Sequence, residues 1–346
     1  MIPAQPSQIE AARKTFFAGK GLPVDQIGHA ILRSWIRCAD MGLNESATPD
    51  FAAPTRSELK VLQERHEALR RICRPELDAL YGEARELAGM VVLTNAKGEI
   101  LDAVGDPAFA GRAAEVALRP GAQWSEDGTG TNAIGTAIAE RRAVVVNGAE
   151  HYFRGHQNLS CAATPIIDPR GATLGVLDIS TPSTLPAGQM LGMVRMAVEQ
   201  IEHRLFRGGF EGCQTLRFQT DPALLGAARE GILVFRDGVV VAANRRGLSL
   251  VGRSWDGLDS LHLEDLFDAA SLSSGPLHGR DGREFVARLD DDGLASVPLA
   301  VSTSSLVDLE LATIRNALAV HNGSVSAAAR QLGIHRSTIY RRMAGQ

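Results

Sequence analysis

Between Ser324 and Met343 the chain places Ala329, Gly333 and Ile339 at offsets that leave few folds open. Two helices that cross at close range need a small residue at the crossing. They also need a turn residue tolerant of positive φ, and a branched apolar residue to anchor the second helix. The spacing predicts a helix over 325–332, with Val325, Ala328, Ala329 and Leu332 on one face and Ser324 as its N-cap. A second helix follows over 334–343. Ahead of both, Val307, Leu311, Ile314 and Leu318 fall at i, i+4, i+7 and i+11, one apolar face of a further helix that His321-Asn322-Gly323 ends. The outer face of the last helix is expected to hold His335, Arg336, Ser337, Thr338, Arg341 and Arg342, three arginines and no acid. Tyr340 and the cap Ser324 complete the set expected to face a nucleic acid.

Charge supports that placement. The whole chain is −4, so it is not a polycation. Residues 306–346 hold five Lys or Arg against two Asp or Glu, leaving 31 against 38, or −7, in the rest. Positive charge is therefore gathered where a duplex would lie, and arginine, serine and threonine can reach phosphates or base edges there. A three-helix unit with a merely solvated basic face is the plain alternative.

At 346 residues the chain is long enough for two or three domains, and 45% hydrophobic content supports more than one core. Cys38, Cys73, Cys161 and Cys213 are widely spaced, with no CxxC pair and no metal-ligand spacing. The expectation is reduced thiols, no metal, no cofactor and a cytoplasmic location. The first residues, Met1-Ile2-Pro3-Ala4-Gln5-Pro6, do not read as a signal peptide, and no apolar run approaches a membrane span.

The first ~90 residues read as helical. Helices are expected over 24–41, stopped by Gly42, and over 57–72, with a restart at Pro75 that ends near Gly89. The pattern then changes to strands: Met90 to Thr94 and Glu99 to Val104 as a hairpin, then 142–147, 160–167 and 172–179. An apolar helix follows the Gly/Thr-rich stretch at 127–132. Residues 187–206 form a helix with Leu191, Val194, Val198, Ile201 and Leu205 at heptad spacing. That seam either packs on its own sheet or joins two chains. Past Gly208-Gly209, strands are expected over 231–235 and 239–243, a helix opened by Asn244, two weaker strands around Gly282, and a linker over 290–305.

The C-terminal segment resembles the Fis-type helix-turn-helix that closes many bacterial enhancer-binding activators. The matching residues are Asn316-Ala317-Leu318 with Asn322-Gly323, then Ala328 to Ile334, then Arg336 to Arg342. One recognition helix reads few base pairs, so a homodimer on a palindromic operator is expected, with half-sites about one turn (~34 Å) apart. The resemblance implies that Val307, Leu311, Ile314 and Leu318 help form that dimer.

The stretch Trp124-Ser125-Glu126-Asp127-Gly128-Thr129-Gly130-Thr131-Asn132-Ala133-Ile134-Gly135-Thr136 is followed by Gly148 to Tyr152, His156, Leu159 to Ile166 and Gly175 to Ser180. In that order, and with Ser34 to Cys38 ahead, these resemble the GAF domain of the acetoin-operon type of activator. The resemblance implies a small-molecule pocket, and Trp124, Thr129, Thr131, Asn132, His151, Tyr152 and His156 are its expected contacts. Each also has a plain structural reading: Thr129 or Thr131 as a helix cap, Asn132 satisfying loop backbone, His151 and His156 as core histidines, and Cys161 as a buried small hydrophobe. Residues 215–290 resemble a degenerate PAS domain.

The expected architecture is α+β and multidomain: a helical N-terminal region over 1–88, a GAF-like sensor over 89–206, a PAS-like domain over 207–289, a linker over 290–305, and an all-α Fis-type helix-turn-helix over 306–346. Activators with such ends carry a central ATPase, but no G-x-x-x-x-G-K-[ST] loop occurs here. The expected function is therefore an effector-responsive DNA-binding regulator, not an enzyme. It would have no ATPase or catalytic residues, and RNA polymerase or a full-length activator would be its partner. The alternatives are a Fis-like architectural DNA binder and a thiol-dependent enzyme on a GAF scaffold.

Overall fold

The computed structural model describes residues 6–49, 54–106, 109, 118–182, 187–268, 277–291, 314, 317–318, 321, 323–332 and 334–344. The chain is α+β, with two five-stranded antiparallel sheets. It divides into two compact units. One holds residues 1–166 and 173–201, the other 167–172 and 202–346.

In the first unit the strands are β1 (Met90–Asn95), β2 (Ile100–Gly105), β3 (Val144–Asn147), β4 (Leu159–Ile167) and β5 (Thr173–Pro182), in the order β2-β1-β5-β4-β3. Side chains alternate across a strand, so each strand feeds both faces. Val91, Leu93, Leu177 and Ile179 point to one face, where they meet Leu69, Cys73, Leu77 and Leu80 of α4 (Glu67–Glu86). Helix α7 (Ala187–Arg204) adds Met190, Val194, Val198 and Ile201 to the same core. The heptad seam expected along α7 is thus spent on its own sheet. Val194, Val198 and Ile201 are fully buried within one chain and cannot join two.

The opposite face carries Met90, Val92, Val176, Cys161, Ala163, Val144 and Val146. It is covered by α2 (His29–Asp40), the short α5 (Glu126–Thr129), α6 (Ala133–Glu140) and the loop bearing Tyr152 and Phe153. Helix α2 is shorter than expected, starting at His29 rather than Val24, and Gly42 follows it at φ +77°. Helix α3 (Arg56–Arg65) begins with a reciprocal cap between Thr55 and Glu58.

Pro75 does not restart a helix. It lies inside α4, and the break falls earlier, at His66. A proline there removes one intrahelical bond, at about 3 kcal/mol in an isolated helix. Leu69, Cys73, Leu77 and Leu80 keep a single helical phase across it, and their burial on the sheet offsets that penalty.

The second unit is built on β6 (Gln214–Gln219), β7 (Gly231–Arg236), β8 (Val239–Ala243), β9 (Leu277–His278) and β10 (Glu284–Asp291), in the order β8-β7-β6-β10-β9. Strand β6, which the sequence pattern did not signal, is the central one. Asp237 and Gly238, both at positive φ, make the tight β7–β8 turn. Asn244 caps α8 (Arg245–Leu250) through the Gly247 N–H, as expected. Phe218, Phe267 and Phe285 meet edge-to-face in the core. The expected linker begins too early at 290, because β10 runs through Asp291; the remainder of 290–305 lies outside the described residues.

The C-terminal helices are α9 (Val325–Leu332) and α10 (Arg336–Ala344), the latter starting two residues later than expected. Among the described residues no helix is long and apolar enough to cross a membrane.

Candidate functional site

At the C-terminus, Ala328, Ala329 and Ile339 are buried together with Ile314 and Ala317. A small residue at the α9–α10 crossing and a branched one on α10 do what the spacing required. Ser324 accepts the Ala327 N–H at 3.4 Å, the N-cap role expected of it, and Gly323 stands at φ +83°. His335, Arg336 and Ser337 are exposed, and Tyr340 is 62% exposed. The His335 ring lies 2.8 Å from the Ser337 hydroxyl at the start of α10. Thr338 is a correction. Expected on the outer face, it is 8% exposed, next in sequence to the core residue Ile339. The side chains of Arg341 and Arg342, and Val307, Leu311 and Gly333, lie outside the described residues.

In the first unit, the residues expected to contact a small molecule gather over one face of the sheet. All seven are buried. Most of their polar atoms are used internally. Asn132 caps α6 by accepting the Gly135 N–H at 2.8 Å, and its amide donates to Thr129 Oγ1 and Gly130 O. Thr129 donates to Ser125 O, and the Thr131 hydroxyl lies 2.7 Å from Ser34 Oγ. Tyr152 donates to Leu43 O. Gly130 sits at φ +63°, and a Cβ there would come within 2.6 Å of Tyr152 Cβ, so this turn requires glycine.

That turn is locked by α2. Ser34 Oγ donates to Glu126 Oε1 at 2.6 Å, and Arg37 grips both oxygens of Glu126 while also reaching Glu140. Glu140 is additionally paired with Arg33. Trp35 donates to Glu150 O. The Ser34 to Cys38 segment is therefore the clasp for the Gly/Thr-rich turn.

A second clasp was not visible in the sequence. Arg13, on α1 (Pro6–Phe17), is 5% exposed and donates to Ala149 O, His151 O and Tyr152 O. It also pairs with Glu45 at 2.6 Å and lies over the Phe17 ring. Burial pulls its pKa down, and Glu45 opposes that shift. Replacing Arg13 with alanine leaves three carbonyls without this donor and Glu45 with Arg154 alone, an expected loss of about 2–4 kcal/mol in denaturant unfolding. Lysine, lacking the planar fork, should recover less than half of it. A melt unchanged in Arg13→Ala would remove this role.

The loop so held presents two histidines. His156 stacks on Trp124 at 5.0 Å, and His151 stands edge-on to it at 6.4 Å. Burial pushes His151 down to about 3 and His156 down to about 4, so both rings are neutral at physiological pH. His151 Nδ1 lies 3.0 Å from Gly148 O. A carbonyl only accepts, so Nδ1 carries the proton and Nε2 is an acceptor, and it has no partner.

Three further residues on this side of the sheet carry polar chemistry. Asp178 on β5 is fully buried, and burial pushes its carboxyl up to about 7. Ser180 Oγ donates to Asp178 Oδ2 at 2.7 Å and lies 3.1 Å from Cys161 Sγ. Asp178 Oδ1 has no partner. Burial also raises the Cys161 thiol, with Asp178 adding to the shift, so it is not a ready thiolate. Every described cysteine is free and buried.

Residues 5–203 match the family described as "MimR, N-terminal domain", and residues 305–344 match "Bacterial regulatory protein, Fis family". The chain is 31% identical over 273 residues to the acetoin catabolism regulatory protein of Cupriavidus necator, covering 73% of this chain and 41% of that protein. It is 27% identical over 345 residues to an uncharacterized 47.3 kDa protein in the thcA 5' region of Rhodococcus erythropolis, covering 94% and 78%. It is 29% identical over 226 residues to the propane 2-monooxygenase operon transcriptional activator MimR of Mycolicibacterium smegmatis, covering 64% and 36%. The chain thus spans less than half the length of the two named regulators it matches.

Proposed function

The chain belongs to the MimR N-terminal-domain family, and from that premise we propose that it is a DNA-binding transcriptional regulator whose front unit senses a small molecule. One observation carries the DNA-binding half. Helices α9 and α10 bury Ala328, Ala329 and Ile339 in one small core with Ile314 and Ala317 while Arg336, Ser337 and Tyr340 stay exposed, within a segment that matches the Fis family. A face with arginine and hydroxyl groups suits phosphates and guanine edges.

On this reading residues 89–206 are a GAF-type sensor, 207–289 a PAS-like module and 306–346 the reader. A homodimer places two copies of α10 on a palindromic site. No phosphate-binding loop occurs in the chain, so it acts through contact with polymerase or with a full-length activator rather than through its own ATP hydrolysis. An effector works by population shift, and moves the equilibrium only by its differential affinity for two arrangements of the reader helices.

The front-unit assignment draws on the two buried polar atoms without partners, His151 Nε2 and Asp178 Oδ1, and the aromatic walls over the first sheet, together with relatives named for acetoin catabolism and for a propane 2-monooxygenase operon. In a band-shift titration, Arg336→Ala should weaken binding to a specific site about tenfold or more, and discrimination against non-specific DNA should fall with it. Arg342→Ala should weaken specific and non-specific DNA alike and reduce the salt slope by about one. An equal loss on both DNAs for Arg336→Ala would remove its base-reading role.

A further inference from the structure

In the second unit a cleft of about 370 Å³ opens between the end of α8, the helical turn Leu263–Asp265 and the β9–β10 turn, and reaches the buried ring of Phe285. That volume is at the small end of the ~300–1,000 Å³ typical of small-molecule sites. Backbone bonds fix its walls. Gly252 at φ +63° ends α8, and the Arg253 N–H donates to Leu248 O at 2.9 Å. The Arg280 N–H donates to Leu266 O at 2.9 Å, and Gly282 at φ +82° closes the β9–β10 turn. Among the described residues, Arg253, Arg280 and Arg283 line the cleft against Asp265 and Asp281. Their commitments differ. Arg283 is spent on Asp281, with Nε 2.7 Å from Oδ2, and holds that carboxyl below its usual range. Asp265 accepts the His262 N–H. Arg280 donates Nε to Glu264 O at 3.0 Å, and its Nη1 lies 3.8 Å from Asp268 Oδ1, a pair more than half exposed at both ends. The Arg253 guanidinium has no hydrogen bond or ion pair among the described residues.

We propose that this cleft binds a small organic carboxylate, held by Arg253 and by the Nη groups of Arg280, with its carbon body against Leu266 and Phe285. A guanidinium is a planar fork that matches the two oxygens of a carboxylate, and its charge shortens and strengthens both bonds. Three arginines against two aspartates leave one positive charge in the lining unmatched, and one carboxylate balances it. A phosphate monoester brings close to two negative charges, and the second meets Asp265 and Asp281 with nothing left to offset it. A primary amide of the carboxylate's shape keeps one acceptor oxygen but turns an NH₂ toward guanidinium donors. The Arg280–Asp268 pair is the kind of exposed contact that contributes little, so a ligand displaces it at small cost. This site is built from other residues than the sensing layer of the first unit, and neither depends on the other.

The test is calorimetric titration of the full chain with benzoate, benzamide, hexanoate, hexanamide and phenyl phosphate. At least one carboxylate should bind tenfold or more tightly than its own amide, and more tightly than phenyl phosphate. The Arg253→Gln, Arg280→Gln double variant should lose tenfold or more of that affinity while melting as the wild type does. If the double variant does not fold, Arg253→Gln alone decides, because that side chain has no partner to lose, and a loss of fivefold or more is expected. Arg253→Lys keeps the charge without the fork and should recover only part of the affinity. Carboxylate binding unchanged in the arginine variants places the ligand elsewhere and overturns the proposal. So does an amide or phenyl phosphate that binds as tightly as the carboxylate, or a failure of every probe to bind. None of these results bears on the sensing role of the first unit.

Discussion

Glu126→Ala should be among the most damaging single substitutions in the front unit, at about 2–3 kcal/mol of unfolding free energy. Glu126 is 8% exposed, and its carboxylate accepts from Ser34 and from both Nε and Nη2 of Arg37. Removing the carboxylate takes the acceptor from the buried Ser34 hydroxyl and two hydrogen bonds from Arg37, which is a third exposed and keeps Glu140. The damage extends beyond the pair, because Ser34 also holds Thr131, in the turn that Asn132 caps. Glu126→Gln keeps the shape and some of the hydrogen bonds, and should lose roughly half as much. Urea unfolding followed by tryptophan fluorescence checks both. A midpoint unchanged in Glu126→Ala would show that α2 docks without this clasp.

The opposite sign is expected at Asp178. Its folded pKa is raised by burial to about 7 from an unfolded value of 3.8. The folded state therefore holds its proton more tightly than the unfolded state. The stability this gives is fully present below pH 3.8 and is lost as pH rises to about 7. Above that the carboxylate, which has no ion-pair partner, weighs against folding by on the order of 4 kcal/mol, at about 1.4 kcal/mol per unit. Asp178→Asn removes the charge and should raise the unfolding midpoint at pH 8, with the gain fading toward pH 4. Glu150, also raised to about 7 by burial, titrates in the same window. The difference between wild type and variant, not either curve alone, isolates Asp178; Cys161 and Ser180 are the groups against it. A variant less stable than wild type at pH 8 would show that the carboxylate is compensated. A gain in stability on removing a buried charge is what a residue kept for binding rather than for folding produces.

The parts of the chain legible in the sequence were those governed by short-range spacing. The α9–α10 pair was readable because Ala329, Gly333 and Ile339 are local constraints, and the first sheet was readable because its strands are short apolar runs between turn residues. Strand β6 was missed because Gln214-Thr215-Leu216-Arg217-Phe218-Gln219 offers only two large apolar residues, and its place at the centre of a sheet comes from pairing with β10, some seventy residues away. Helix α1 was missed because it is polar, and its value lies in Arg13 reaching carbonyls 136 to 139 residues distant. The α7 heptad was ambiguous in principle, since one apolar stripe serves a sheet or a second helix equally well.

The site followed the same division. The Gly/Thr-rich turn and both histidines could be named from sequence, yet the partners that use up Thr129, Thr131 and Asn132 are set by tertiary packing. Asp178 stands in the apolar run Gly175 to Ile179, where nothing local distinguishes an orphaned carboxyl from a paired one. Its signal was there, a charge within a buried strand, and such a residue is a functional candidate on energetic grounds. Thr338 went the other way, because one helical residue at the edge of a face is decided by the neighbour it meets.

The claim on which the rest depends is that residues 324–344 lie in a duplex groove as a paired unit. Footprinting of the full chain across its own genomic DNA over a salt series tests it most directly. The expected result is a small number of two-fold symmetric sites with protected half-sites about one turn apart, and an affinity that falls steeply between 50 and 200 mM salt, on the order of 10³-fold or more. Absence of any protected site at low salt, or protection that survives intact in the Arg336→Ala, Arg342→Ala double variant, would contradict it.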